Sequence, residues 1–323
     1  MKAILLFTGM LMSQLLSGQR LILLDNDLQA QNLIKEGDAA YFRGDFKKSI
    51  QSYQQLAEIK HHDPEVLFNL AIGFMANGKT DSTFHLLFAI IDSGYRQADF
   101  IRYTAEFEKL HGSAKWKTLI KELDARFTDY CKTNSITNEK VAKQLDYLFY
   151  IDQKYQRIGT FKRRYAGAYP QYTDKAIDSL QDNTFRKNVD YLKQLFAKDG
   201  YLWKSDIGKE AAHISWIIAQ HADFDTAFQK EYLRKMKVAV DMNEASAKDY
   251  AYLTDRVRKN TGEKQLYGTQ MNYITTRDST GKIKVESGIW PVEDEANLNQ
   301  RRKEVGLVPI EEYLQMMKLL NNH

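Results

Sequence analysis

A single cysteine, Cys131, leaves this 323-residue chain unable to form an internal disulfide or a thiolate zinc cage, so its stability has to come from ordinary packing. Prolines are equally scarce. Four of them, beside 12% aromatic and 43% hydrophobic residues, describe a folded and largely helical protein rather than a linker or a disordered chain. An excess of one charge is missing as well: 46 Lys and Arg stand against 42 Asp and Glu, a net charge of +4. Acidic residues interleave with basic ones almost everywhere, KRR (162–164) and RRK (301–303) being short exceptions, which argues against a nucleic-acid partner. GxSxG, P-loop, HExxH and cysteine motifs are all absent, so no common catalytic signature announces an enzyme.

One apolar run does exist, at the start. Lys2 precedes AILLFTGMLMSQLL (3–16), which is short for a membrane span, and Ser17-Gly18 offers small residues before Gln19 and Arg20. The reading is a signal peptide over residues 1–18 and an exported protein, periplasmic or secreted. Leu16 is larger than the residue usual near a cleavage site, and the alternative is an uncleaved N-terminal anchor helix. No cysteine sits at the cut, which argues against a lipid anchor. No second apolar run follows, so no stable membrane span is expected after cleavage.

The mature length exceeds one ordinary domain, and the sequence divides into two expected parts, 20–126 and 137–323. In the first, LIKEGDAAYFRGDFKKSIQSYQQLAEIKHHDP (33–64) aligns with PEVLFNLAIGFMANGKTDSTFHLLFAII (64–91), placing the turn glycines Gly44 and Gly78 34 residues apart. Gly37 and Ala71 stand where two antiparallel helices need a small contact, Tyr53 and Leu87 lie on the second helix, and Pro64 opens the next unit. These residues resemble the tetratricopeptide repeat family. Around Gly112 a degenerate third repeat would cap the stack, with Ile101, Phe107, Leu110, Trp116 and Leu119 apolar. The resemblance implies a groove for a protein or peptide partner, or a spacer holding the second domain. His61 and His62 read as solvated loop residues, and His85 as half-buried.

Polar residues on core faces mark the second part. A helix from about Thr137 or Asn138 carries Val141, Leu145 and Leu148, then Asp152, in one stripe. A lone buried carboxylate costs several kcal/mol, so Asp152 needs a partner: Gln153, Arg157 or a residue of another helix. It is either a register-fixing salt bridge or part of a ligand site. In HISWIIAQHADFD (213–225), Ile214, Ile217 and Ile218 lead to His221, while His213, Trp216 and Gln220 share the neighbouring face. The two histidines are about two turns apart, too far for an i, i+4 zinc clamp, and only Asp223 offers a third ligand, so neither metal nor cofactor is expected. His221 is either a hydrogen-bonded core imidazole or a general acid or base. Ser246 to Asp249 forms a capping box, MNYITT and KIKVES form a β-hairpin near 268–287, and two short helices around Gly306 and Pro309 close the chain. The fold class is therefore mainly α: helical repeats, then a helical domain with one small antiparallel hairpin.

DQKYQR (152–157), QHAD (220–223), YLTDRV (252–257), QLYGTQ (265–270), WPVED (290–294) and RRKEVGLVPIEEYL (301–314) together resemble, in that order, a bacterial domain family of unknown function. The resemblance would cover about 137–323. It implies recurring positions at Asp152, Gln153, Arg157, Gln220, His221, Asp223, Asp255, Arg256, Gln265, Tyr267, Gln270, Arg301 and Arg302; His213 stands outside the pattern. Two functions remain open. The chain is an exported interaction or scaffold protein whose polar cluster is structural. Alternatively it is a hydrolase or transferase in which His221, with Asp255 and Asp152, does acid or base work. Arg157, Arg256, Arg301 or Arg302 would then hold an anionic group, with Gln220, Asp223, Gln265, Tyr267 and Gln270 as further ligand-binding candidates. If the N-terminal run is a signal peptide, exported material begins near Gln19; N-terminal sequencing that finds intact Met1 contradicts it.

Overall fold

The computed structural model describes residues 23, 25, 27–94, 98–277 and 283–321, so the expected signal peptide and the hairpin tip at 278–282 lie outside the described residues. Fourteen α-helices and one hairpin follow in order among them: α1 (Leu28–Phe42), α2 (Phe46–Ile59), α3 (Pro64–Ala76), α4 (Thr80–Asp92), α5 (Ala98–Tyr103), α6 (Ala114–Thr133), α7 (Glu139–Arg164), α8 (Asp174–Asp199), α9 (Lys204–Ile207), α10 (Lys209–Gln220), α11 (Thr226–Asp241), α12 (Ala247–Asn260), β1 (Met271–Arg277), β2 (Ile283–Ile289), α13 (Leu298–Glu304) and α14 (Ile310–Asn321). The mainly helical class with one small hairpin is what the sequence indicates. Two compact units form. The first runs to Asn188 and includes Asp206–Ala211; the second comprises Val189–Ser205 and the chain from Ala212. The division thus runs through α8, and the connection 127–136 lies inside the first unit, its first half helical as the end of α6.

In the first unit, neighbouring helices pack in chain order, α1 on α2, α2 on α3, α3 on α4. Two identical stops set that order. Gly44 and Gly78 follow α1 and α3 with φ of 80° and 73°, a left-handed conformation that glycine adopts without a Cβ penalty, and each turns the chain back on itself. Asp45 and Asp63 then start α2 and α3 by accepting the N–H of Lys48 and Glu65. Gly112 lacks a left-handed φ, and the first helix of the third pair is broken: α5 ends at Tyr103, Thr104 turns extended with its hydroxyl on the Phe100 carbonyl, and a 3-10 turn covers Ala105–Leu110. Phe107 and Trp116 still reach the core, and Phe107 meets Phe68 edge-on at 5.7 Å. α7 packs on α5 through Phe149 and Tyr150 against Phe100. His61 and His62 are exposed as expected; His85 is exposed rather than half-buried, because α4 turns Phe84 and Leu87 inward instead.

The second unit gathers the end of α8, whose Phe196 stacks on Tyr232 of α11 at 5.1 Å, and the α10–α12 helices. In the hairpin Met271 pairs with Ile289 and Arg277 with Ile283. Met271, Tyr313 and Met317 are buried against Ile289, Val308, Ile310 and Leu314, which fastens α14 onto the hairpin base.

Gly37 of α1 lies directly against α2. A Cβ there would lie 2.6 Å from the ring of Tyr53, a fully buried residue whose hydroxyl donates to Asp38 at 2.7 Å. The ring is held at both ends and cannot move aside freely. Gly37→Ala is expected to cost about 1–3 kcal/mol of overpacking, offset by up to about 1 kcal/mol of helix propensity. Gly112→Ala, with nothing within 4 Å of the added carbon, is the neutral control. Urea unfolding that places both variants at the wild-type midpoint would contradict the close contact.

Candidate functional site

The polar side chains of the second unit form three neighbouring arrangements along α10, α12 and the turn after α12. The first sits at the start of α12. Ser246 caps the helix by accepting the N–H of Asp249 at 3.2 Å, and this frees the Asp249 carboxylate to face α10. There its Oδ2 lies 2.9 Å from His213 Nδ1, while Trp216 Nε1 donates to the Asp249 carbonyl at 2.8 Å. The His213 and Trp216 rings stack at 4.9 Å and 28°. His213 Nε2 is buried without a hydrogen-bond partner, so one nitrogen is oriented by a carboxylate and the other is left over. Sequence reasoning set His213 aside. The only signal available was that His213 and Trp216 share a face and that the capping box ends in an aspartate.

The second arrangement closes the far end of α10. His221 is half-buried, not buried, and its N–H reaches the Ile217 and Ile218 carbonyls at 3.1 and 3.2 Å as the helix ends. Asp223 accepts from Arg256 Nε and Nη2 at 2.7 and 2.6 Å, from Asn260 at 2.7 Å and from Gln229 at 3.2 Å. This is a two-toothed guanidinium–carboxylate pair. Burial works against the charged carboxylate, but the Arg256 guanidinium and the hydrogen bonds from Arg256, Asn260 and Gln229 hold Asp223 below its ordinary range. Lys259, one turn along, is pushed below the usual lysine range by burial and by the nearby Arg256. Gln220 lies between the two arrangements, buried, with neither amide atom hydrogen-bonded.

The third arrangement is a knot around the turn 265–270. Asp255, fully buried, accepts the backbone N–H groups of Leu266, Tyr267 and Thr269 and the Thr269 hydroxyl, at 2.7–3.2 Å. Gln265 accepts from the Gln270 N–H at 2.8 Å and donates to the Trp290 carbonyl at 2.6 Å. Arg302, fully buried, donates to the carbonyls of Val308 and Tyr267 and lies over the Tyr313 ring at 5.0 Å. Arg301 donates to the carbonyls of Leu266, Glu293 and Asp294. Asp255, the turn and the two arginines therefore come together. His221 does not join them through Asp255, because every donor to that carboxylate belongs to the turn.

Asp152, Gln153 and Arg157 lie in the first unit. Asp152 is fully buried and accepts from Gln153 at 2.8 Å and Asn188 at 3.3 Å, while Gln181 donates to its carbonyl at 3.0 Å. The Arg157 guanidinium lies over the Phe100 ring at 5.5 Å. Among the described residues, no group of three His, Cys, Asp or Glu side chains is placed to hold a metal ion, and no helix is long and apolar enough to cross a membrane.

All three polar arrangements of the second unit fall within one stretch that a known family shares. Residues 179–321 match the family of unknown function DUF6624. The DUF6624 match begins in α8, later than the resemblance from 137 suggested, so Asp152, Gln153 and Arg157 lie outside it, whereas His213 lies inside. No curated protein and no solved structure matches the chain.

Within the DUF6624 segment the Asp223–Arg256 pair makes a pH-dependent contribution with a definite sign. Asp223 has a depressed pKa in the folded state, so its stabilisation is present above the unfolded carboxylate pKa of about 3.9 and is lost as pH falls through the folded value. The stability gap between wild type and Asp223→Asn is expected to stay constant from about pH 8 to about pH 5 and to shrink below about pH 4. Urea titrations across that range check it; a gap unchanged in strong acid would contradict the pairing.

Proposed function

We propose that this is an exported protein-interaction module: a tetratricopeptide-like repeat stack that holds a peptide or protein partner, carrying a DUF6624 domain whose polar clusters mainly fix its own fold. One observation carries the reading. Between α2 and α4, floored by α3, lies a depression of about 500 Å³ with Leu67, Leu70 and Phe74 at its base and Glu58, Asp81 and His85 at its rim. An apolar floor inside a polar rim is the composition of a recognition groove. The engaged arginines of the segment that matches DUF6624 argue the same way against an anion-binding catalytic site. Arg256 is neutralised by Asp223, Arg301 donates to main-chain carbonyls, and Arg302 does so through Nε and Nη1, with Nη2 left over.

A second reading has one observation in its favour, the Asp249–His213 couple with its unpartnered Nε2. In a hydrolase or transferase that arrangement would supply the general base, with Asp249 as the orienting group and His213 in the part first expected of His221. Turnover of any chromogenic ester or phosphoester that falls with His213→Gln but survives His221→Gln would favour it.

The groove reading is tested by placing a photo-crosslinking side chain at Ser82, on the rim, and at exposed Lys47 as a control, in the cell that makes the protein. Discrete adducts from position 82 that are absent from position 47 are expected. The same adducts from both positions, or none from either, would remove the groove as the binding surface.

A further inference from the structure

A second depression in the first unit, of about 630 Å³, lies on the α5–α6 side of the stack, away from the α2–α4 groove. Much of its lining comes from α6. Trp116, Ile120 and Asp124 succeed one another at one-turn intervals, which spans about 12 Å at 1.5 Å per residue and matches about four residues of extended chain. Tyr103 completes the apolar surface and is 44% exposed, unusual for an aromatic ring already in edge contact with Tyr147.

The charge around it is one-sided. Asp124 is the only lining carboxylate among the described residues, and it is already occupied by Arg102 at 2.9 Å and Lys143 at 2.6 Å. Arg102 also binds Asp99 at 3.2 Å. Lys117 and Lys121 line the same depression and have no ion-pair partner among the described residues, although Lys115, beside them on α6, pairs with Asp81 at 2.6 Å. Burial pushes the Asp99 carboxyl up to about 6 and that of neighbouring Asp146 well above its ordinary range; Asp99 is already engaged by Arg102, so neither carboxyl is paired with the two lysines. A depression with apolar lining and two lysines that have no ion-pair partner among the described residues is complementary to a short acidic segment with an apolar anchor.

We propose that this depression is a docking site for a short acidic peptide segment, with an apolar residue seated against Ile120 and Tyr103 and acidic side chains beside Lys117 and Lys121. It is independent of the α2–α4 groove, and either site can fail without the other. The test is calorimetric titration of the full chain with a capped pentapeptide, a central leucine flanked by two acidic residues on each side, and with its lysine-flanked counterpart. The acidic peptide is expected to bind with an affinity that weakens as salt rises, and the basic peptide not to bind. Lys117→Glu/Lys121→Glu should weaken binding about tenfold or more, Lys117→Gln/Lys121→Gln by less, and the exposed control Lys140→Glu not at all. All these positions are solvent-exposed, so unchanged circular dichroism is expected throughout. Absence of binding, equal binding of the basic peptide, or an affinity unmoved by the charge reversals would overturn the proposal. So would displacement of the peptide by inorganic phosphate at equal concentration, which would indicate a simple anion site.

Discussion

An ionised carboxylate sealed from water must be surrounded by donors, and Asp255 finds all of them in a single six-residue turn. That requirement organises the end of the DUF6624 segment. With its N–H groups drawn onto Asp255, the turn leaves its carbonyls facing the other way, and Arg301 and Arg302 supply the matching donors from α13. Thr269 offers its carbonyl to the Tyr313 hydroxyl, which brings α14 into the same knot. The hairpin and the last two helices are thus arranged around one buried charge and the backbone that answers it. Removing the carboxylate would orphan three N–H groups at once, that of Thr269 fully buried, a larger penalty than the loss of any one bond, since an unsatisfied buried donor costs about 1–3 kcal/mol.

The first unit follows the same rule with a different geometry. Its buried Asp38 is shared between the hydroxyls of Tyr53 and Tyr165, and Asn69 in turn donates to Tyr53, so one carboxylate ties α1, α2, α3 and α7 together. Asp152 is similarly enclosed by amides from α7 and α8. These networks sit in cores that are otherwise apolar, where they act as register marks: a helix that slipped by a residue would bury an unanswered charge. The exposed features differ in kind. Two depressions with apolar lining, between α2 and α4 and beside α6, are the places proposed above for partners.

Function in the DUF6624 segment turns on which polar groups have capacity left. Arginines that donate to main-chain carbonyls cannot also grip a substrate anion with the same N–H groups, and a carboxylate that already accepts four hydrogen bonds is a poor base. By that measure Asp255 and Arg301 support the fold, while Arg302, held by the Val308 and Tyr267 carbonyls, keeps a buried Nη2 without a partner. His213 is the side chain with an oriented ring and an unoccupied nitrogen, and Gln220 is the amide with both atoms unoccupied, on the same face of α10.

Much of the local structure was readable from residue order because it depends on contacts within one or two turns of chain. The 34-residue spacing of Gly44 and Gly78, the caps at Asn138 and Ser246, the hairpin strands and the α13–α14 break at Gly306 each rest on backbone preferences that single residues impose. The break at Thr104 in the degenerate third pair was not legible, because its apolar spacing survives a break that spacing alone does not register. Partner choice lay beyond residue order altogether. His213 and His221 are both histidines on helix faces beside an aliphatic run, and nothing local separates them. Only the packing of α12 against α10 puts Asp249 beside His213 and leaves Asp255 to the turn. A helical period specifies which face a side chain occupies, whereas the identity of the group opposite depends on the axial offset between two helices, which the whole core sets at once.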